Sequence, residues 1–429
     1  MISNKQFIAI DLGSSRISAM AAEILADDSL KILSEEYKVS DDIKWGIVEQ
    51  PSGAAFKVSE IQKLLQNSAK ISDISMVSVG IGAKSMKQIA VSVSRFVGKP
   101  NIVTESLLDE MLDECKTKSQ HSEITVFDII PLSYYLDGKR MDEPVDKNGS
   151  QITANYHVIF GHVIIKTELE RCFDRTGIRL EYCPLAIEAL STVLLEEQER
   201  EDGCALINLG ATTTTLAVYA EGALQNLLVV PLGAKNITKD IQELGITEAN
   251  AERLKRLKGV AMESIVEEPI YIQIPSAEDV NIPVRISTKF LATIIEARLE
   301  EIMQTIFDTI NNLSFSLEAG IVITGGGSKL TSIIDFISEK TGIYTRFGDH
   351  SGWLSDDTPE KYLDPCYSQL IGTIILTNEY RKDHPIEVTI VDPGKGPKIP
   401  KKKFGEKIAN GFFNFFGDEN KFESKEVNK

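Results

Sequence analysis

The sequence is short of positive charge, of paired cysteines, of ligand-spaced histidines and of long apolar runs, and each shortage removes a class of protein. It has 46 Lys and Arg against 63 Asp and Glu over 429 residues, a net charge of −17. That is the wrong sign for a body that holds nucleic acid through its phosphates, so no nucleic-acid partner is expected; the charge serves solubility. The five cysteines, Cys115, Cys172, Cys183, Cys204 and Cys366, include no Cys-x-x-Cys pair, which argues for a reducing compartment and against a structural zinc. The five histidines show no metal-ligand spacing. No run approaches the roughly 18 apolar residues of a membrane span. No apolar signal core precedes the first strand-like segment. The expectation is a cytoplasmic protein.

A chain this long exceeds one ordinary core, and about two to four domains are expected. One unusual pattern occurs twice. Phe7-Ile8-Ala9-Ile10-Asp11-Leu12-Gly13-Ser14-Ser15 is an apolar strand running into Asp-x-Gly and hydroxyls, and Ala205-Leu206-Ile207-Asn208-Leu209-Gly210-Ala211-Thr212-Thr213 repeats it with Asn for Asp. Each is followed by a second strand-like run, Ile17 to Ala22 and Thr215 to Tyr219. Both read as β-hairpins with tight glycine turns. Glycine lets backbone N–H groups approach an anion, and Ser or Thr hydroxyls add donors. Two such turns facing each other form a clamp for a polyphosphate.

Around these hairpins the chain reads as α/β. A third strand is expected at Ile32 to Val39, a helix from Ser59 to Ile71, and a buried strand at Met76 to Ile81. Residues 83–163 change texture: Ile89, Val91 and Val93 alternate, Thr104 caps a helix, strands follow at Ile124 to Ile130 and His157 to Ile165, and a polar stretch from Asp137 to Ser150 separates them. This is expected to be a small α+β unit inserted into the first domain. Thr167 to Glu170 reads as a capping box opening a helix, and Pro184 to Glu196 as another helix leading into the second hairpin. Helices follow from Ala234, at Thr247 to Lys258 with Gly259 as its stop, and after Ser287 with an apolar stripe from Leu291 to Ile310; strands are expected at Tyr271 to Ile274 and Val284 to Ile286. A third signature, Ile321-Val322-Ile323-Thr324-Gly325-Gly326-Gly327-Ser328, is a buried strand breaking into three glycines, with a helix expected from about Lys329. A last helix is expected from Cys366 to Asn378.

The tail has its own character. From Lys382 to Lys403 it is rich in Pro, Gly and Lys and reads as a linker. Phe404, Ile408, Phe412, Phe415 and Phe416 then share one face of a helix, with Lys403, Lys407, Asn410 and Asn414 opposite and Lys401 and Lys402 just before. Aromatic anchors with a basic approach read as a membrane-surface helix. The alternative is a helix docked on the protein's own body.

The ordered set of strand-Asp-x-Gly-Ser, strand-x-Leu-Gly-x-Thr-Thr, the Ala251-Glu252-x-x-Lys255 helix and strand-Gly-Gly-Gly resembles the actin/Hsp70/sugar-kinase ATPase superfamily. The insertion at 83–163, the phrase Asp364-Pro365-Cys366-Tyr367-Ser368-Gln369-Leu370-Ile371-Gly372 and the tail are similar to the bacterial cell-division FtsA family. The resemblance implies an α/β actin-like ATPase fold, two ribonuclease-H-like halves around a nucleotide cleft. Residues 1–82, 164–200 and 364–382 would form the first half, 83–163 the inserted α+β subdomain, 201–235 and 310–363 the second half, and 236–309 its helical subdomain. Residues 383–403 would be the linker, 404–417 the membrane helix and 418–429 a disordered end.

The resemblance also implies roles. ATP and Mg²⁺ are the expected cofactors. Asp11 matches the acid that holds Mg²⁺, and Gly13, Ser14 and Ser15 should donate to the β- and γ-phosphates, with Gly210, Thr212 and Thr213 facing them. Glu252 and Lys255 match ribose and base contacts, and Gly325, Gly326 and Gly327 should border the adenosine and α-phosphate. Asn208 stands where many relatives have Asp; it can orient water but cannot accept a proton. Cys183-Pro184 stands where MreB-like relatives place a water-positioning Glu. Tight Mg-ATP binding with weak or absent ATPase activity is therefore expected. By resemblance the partners are the FtsZ C-terminal peptide, docked at about 236–309, further copies of the chain in filaments, other divisome proteins, and an anionic membrane at the cytoplasmic face of the inner membrane at the division site. The competing readings are a sugar or small-molecule kinase or exopolyphosphatase, an Hsp70-like chaperone ATPase, and a PilM-type pilus-assembly actin homologue.

Overall fold

Strand Gln6–Leu12 carries Phe7, Ile8, Ala9 and Ile10, all buried, because both faces of it are covered. It pairs antiparallel with Arg16–Ile24, which pairs antiparallel with Leu30–Val39; on its other side it runs parallel to Met76–Val79, and that strand runs parallel to Arg179–Leu180. The second five-stranded sheet repeats this plan. Cys204–Leu209 is antiparallel to Thr214–Ala220, which is antiparallel to Ala223–Val230; Cys204–Leu209 is also parallel to Gly320–Thr324, and that strand to Thr345–Phe347. Even the register slips correspond: one falls at Ala21/Ala22 and the other at Val218/Tyr219. A repeated sequence pattern has produced a repeated fold, and each repeat ends its first strand at a glycine turn. The computed structural model describes residues 6–99, 101–279 and 281–384.

Central parallel strands need apolar residues on both sides, and Leu206, Ile207, Ile321, Val322 and Ile323 are fully buried. Helix Pro51–Ser68 covers the first sheet with Ala54, Ala55, Val58, Ile61 and Leu65, a helical spacing. Helix Ile164–Asp174 packs beside it through Ile165, Leu169, Cys172 and Phe173. In the second repeat the 24-residue helix Thr288–Asn311 buries Leu291, Ile295, Leu299, Ile302 and Ile306 against the core shared with Ile237, Leu254, Ile333 and Phe336. Truncating one such side chain to Ala costs about 2–5 kcal/mol.

Several boundaries differ from the sequence expectation for identifiable reasons. The first helix begins at Pro51, earlier than Ser59, because Pro at the first helical position supplies the helical φ. Thr167 does not cap a helix start. The helix begins at Ile164, and the Thr167 hydroxyl donates back to the Val163 carbonyl at 3.2 Å from inside it. The expected helix at Lys329 is a single 3₁₀ turn, Gly326–Lys329; the α-helix starts only at Ile333, after Ser332 takes a left-handed φ of 61°. The final helix is Ser368–Asp383, preceded by the turn Pro365–Tyr367.

The described residues divide into two compact units, one formed by residues 6–88 with Gly161–Ile375 and containing both repeats, the other by Ile89–Phe160 with residues 376–384. The second has a four-stranded sheet in which Gln151–His162 lies between Lys87–Phe96 and Ile124–Leu136, with Lys139–Met141 at the edge. Helix Glu105–Ser119 opens at Thr104, whose hydroxyl accepts the Leu107 N–H at 3.2 Å. Its core joins Leu108, Met111 and Cys115 to Val93, Ile152, Ala154, Tyr156 and Val158.

Candidate functional site

The two glycine turns are built alike. In the first, a Cβ on Gly13 would stand 2.7 Å from the Arg16 carbonyl oxygen; in the second, one on Gly210 would stand 2.8 Å from that of Thr213. Any side chain at either position would force the turn open. The pairings Asp11↔Ser18 and Asn208↔Thr215 put Asp11 and Asn208 at equivalent places. The tips of the two turns meet: Thr212 Oγ1 donates to Ser14 Oγ at 2.8 Å, and the Trp45 N–H donates to Thr212 Oγ1 at 3.1 Å. Ser15 is exposed at the rim and Thr213 is half-buried.

Asp11 sits beneath the first turn. Gln369 Nε2 donates to its Oδ1 at 2.9 Å. Burial raises the Asp11 carboxyl to about 6, against the pull of the Arg16 charge and the Gln369 hydrogen bond. Arg16 lies over the rings of Tyr37 and Tyr367, 5.3 and 5.6 Å from their centroids. From sequence Arg16 and Trp45 have no role, and Gln369 enters only as part of the phrase Asp364–Gly372, with no site role. Gln369 carries a faint signal: it is the polar residue beside the buried Leu370 and Ile371 of an otherwise apolar helix turn.

The third glycine turn closes on the second hairpin. Gly325 has φ 91°, and a Cβ there would stand 2.3 Å from Asn208 Oδ1 and 2.7 Å from the Leu209 carbonyl oxygen. A Cβ on Gly327 would stand 2.4 Å from Leu209 Cγ, whereas Gly326 has open space around it. The Asn208 side chain is thus turned toward the third turn, alongside its strand partner Thr324. Ser328 locks the turn by donating its hydroxyl to the Gly325 carbonyl at 2.7 Å. Lys329 then reaches across to an ion pair with Asp364.

Helix Ala234–Gln242 starts directly on the second turn. The N–H groups of Ala234 and Lys235 donate to the Gly210 and Ala211 carbonyls at 2.9 and 2.8 Å, and Gly233 is required because a Cβ would strike the Gly210 oxygen at 2.6 Å. Glu252 and Lys255 lie on the next helix, Glu248–Lys258, and are turned against this one. The Lys255 ammonium donates to the Ala234 carbonyl at 3.0 Å, to Thr238 Oγ1 at 2.7 Å and to Glu252 Oε2 at 2.7 Å. Its three protons all have protein acceptors, and it is 7% exposed. Burial lowers the Lys255 ammonium despite the Glu252 charge. Burial pushes Glu252 up, but Lys255 and the Thr238 hydroxyl outweigh it and hold the carboxyl below its ordinary value. In this arrangement Lys255 braces the second turn from behind.

Cys183 is fully buried, and burial pushes its thiol up; the Pro184 carbonyl accepts the Ile81 N–H at 2.8 Å. Neither offers a proton acceptor to water. Among the described residues no group of three His, Cys, Asp or Glu side chains is arranged to hold a metal, and no helix is long and apolar enough to cross a membrane. The tail positions Lys401, Lys402, Lys403, Phe404, Lys407, Ile408, Phe412, Phe415 and Phe416 lie outside the described residues.

The architecture and sequence have known counterparts. The family model for cell division protein FtsA matches residues 205–372, and that for the SHS2 domain inserted in FtsA matches residues 84–160. The chain is 26% identical to the cell division protein FtsA of Borreliella burgdorferi over 389 residues, covering 89% of this chain and 93% of that one. It is 27% identical to FtsA of Neisseria meningitidis (87% and 91% covered) and 26% identical to FtsA of Escherichia coli K12 (90% and 93%). Among solved structures it is similar to the PilM-PilN type IV pilus biogenesis complex, with TM-score 0.63 at 14% identity over 88% of this chain and 99% of that one. It is also similar to MreB5 of Spiroplasma citri bound to ADP, with TM-score 0.55 at 13% identity over 89% and 98%. At such identities these structures establish an actin-like ATPase fold.

Proposed function

The chain belongs to the FtsA family of bacterial cell-division proteins, and from that premise we propose that it is an ATP-binding, self-assembling adaptor that tethers FtsZ filaments to the cytoplasmic face of the inner membrane. The observation that carries the nucleotide part is the meeting of Ser14 and Thr212, the tips of two glycine turns that occupy the same place in two copies of one sheet. Similarity to MreB5 structures with bound ADP and with bound AMPPNP supports nucleotide in this cleft.

The residues present suit Mg-ATP. Three turns exclude side chains at Gly13, Gly210 and Gly325 and leave Gly326 open, as close approach of a phosphate or a base requires. Gly13, Ser14 and Ser15 on one side and Gly210, Thr212 and Thr213 on the other would donate to the phosphates. Gly325, Gly326 and Gly327 would border the nucleoside. Asp11 would hold Mg²⁺, which is content with one or two carboxylates, phosphate oxygens and retained water. When bound, Mg²⁺ would neutralise phosphate charge. Lys255 acts in this reading through the second turn, and Glu252 is the exposed member of the pair, side chain 44% accessible, and so the nearer to a ribose.

Hydrolysis is expected to be slow. Asn208 cannot take a proton from water, and Cys183 is buried with a thiol driven toward neutrality. The same lack disfavours a kinase, which needs a substrate base. A pilus-assembly role rests on fold likeness alone, whereas the sequence relatives spanning about nine-tenths of the chain are division proteins.

The tail 404–417, with its Phe and Lys pattern, would supply membrane attachment, and the helical region 236–309 the FtsZ contact. Each tail can bind weakly, because assembly on a membrane adds avidity. Co-sedimentation with anionic liposomes, with and without Mg-ATP, tests this. The full chain should pellet and a chain ended at Lys402 should not; equal pelleting of both would remove the tail from the function.

A further inference from the structure

The helix Ser368–Asp383 enters the site at its first turn and is held there from two directions. Asp364, in the turn before it, pairs with Lys329 of the third glycine turn and accepts the Cys366 N–H at 3.1 Å. Ser368 shares a 2.9 Å hydrogen bond with the buried His350. The residue that follows, Gln369, donates to Asp11 Oδ1 at 2.9 Å. Room for its amide comes from Gly80, where a Cβ would stand 3.2 Å from Gln369 Nε2. The other Asp11 oxygen, Oδ2, lies on the side of Gly13, 3.6 Å from where a Cβ would stand.

We propose that Gln369 is a positioning residue for the Asp11 carboxylate, and that the Lys329–Asp364 pair ties that carboxylate's setting to the third glycine turn. The inference rests on the nucleotide reading above. A carboxylate with two equivalent oxygens can rotate; a donor on one of them sorts the pair and turns the other toward the phosphate turn. Gln does this as a neutral group. A Lys or Arg in its place would compete with Mg²⁺ for the negative charge, whereas the amide fixes direction and leaves the charge intact. The route to the nucleoside side is physical: Gly325–Gly327 turn, Lys329, Asp364, the helix start, Gln369, Asp11. A nucleotide that settles the third turn therefore bears on the metal carboxylate without touching it.

The test measures affinity for a fluorescent ATP analogue, once with Mg²⁺ and once with EDTA, in the full-length chain and in Gln369→Met, Lys329→Met and the double variant. Met keeps the volume of Gln and removes the donor. Gln369→Met should lose about tenfold of the Mg²⁺-dependent gain in affinity, the usual scale for a group that orients a metal ligand, with affinity in EDTA unchanged. Lys329→Met should lose part of the same gain, and the double variant should lose less than the sum of the two. A full Mg²⁺-dependent gain in Gln369→Met, or an equal loss with and without Mg²⁺, would overturn the positioning role. Strictly additive losses would overturn the link to Lys329. A wild-type chain that binds the analogue under neither condition would instead sink the nucleotide reading itself, and the inference with it.

Discussion

Thr212 Oγ1 donates a 2.8 Å hydrogen bond to Ser14 Oγ, although 198 positions separate the two residues. Each hydroxyl stands at the tip of a glycine turn, so this contact brings the two turns within reach of one anion. Thr212→Val and Ser14→Ala should each weaken ATP binding by about 10–100-fold, the value of a hydroxyl donated to a charged group. Each should lower stability without nucleotide by only about 1 kcal/mol. Titration calorimetry and thermal melts separate the two effects.

Asp11→Asn should act in opposite directions on stability and on binding. The folded-state carboxyl is raised from 3.8 to about 6 by burial. The folded chain therefore holds the proton better than the unfolded one. The stability this group contributes is fully present below the unfolded value and is lost as pH rises through about 6. At neutral pH the charged group is a cost, and Asn should raise nucleotide-free stability by up to about 3 kcal/mol, flatten the stability profile between those two values, and abolish the Mg²⁺-dependent part of ATP affinity. Denaturant melts at stepped pH check the first two. A variant less stable than the parent at neutral pH would contradict the reading.

The three adjacent glycines should not be equivalent. Gly325→Ala meets both a left-handed φ of 91° and a Cβ 2.3 Å from Asn208 Oδ1, and should destabilise by about 2–3 kcal/mol. Gly326→Ala meets nothing within 4 Å; it should melt like the parent and yet bind ATP more weakly, because the space it fills is the nucleotide's. Melting and binding measured on both variants decide whether that open space is functional.

Lys255→Met should destabilise by about 3 kcal/mol, since it leaves the Ala234 carbonyl, Thr238 and Glu252 without their shared cation. Lys255→Met with Glu252→Gln should recover part of that, because no charge is then stranded. If Lys255 instead contacts base, the single variant will keep its melting temperature and lose affinity.

Much of this was legible in the chain. The hairpin strands, the three glycine turns and the helix cap at Thr104 were all readable, because Gly, Ser and Thr at turn and cap positions act through local geometry. What failed locally were boundaries decided by tertiary contact, such as the helix that begins at Ile164 through its apolar residues while Thr167 bonds backward. The site was legible only as turns. Gln369 is 358 positions from Asp11 and Asp364 is 35 from Lys329; no local pattern announces such pairings. By resemblance Lys255 matches a ribose or base contact; that its ammonium is buried against the Ala234 carbonyl follows from how two helices pack behind the second turn, which no local pattern shows.

The most direct measurement is a crystal structure of the full chain grown with Mg²⁺ and a non-hydrolysable ATP analogue. The triphosphate should lie between residues 13–15 and 210–213, with the metal on the Asp11 side and the nucleoside against Gly326. Analogue bound elsewhere, or those turns still bonded to each other through Ser14 and Thr212 with no phosphate between them, would contradict it.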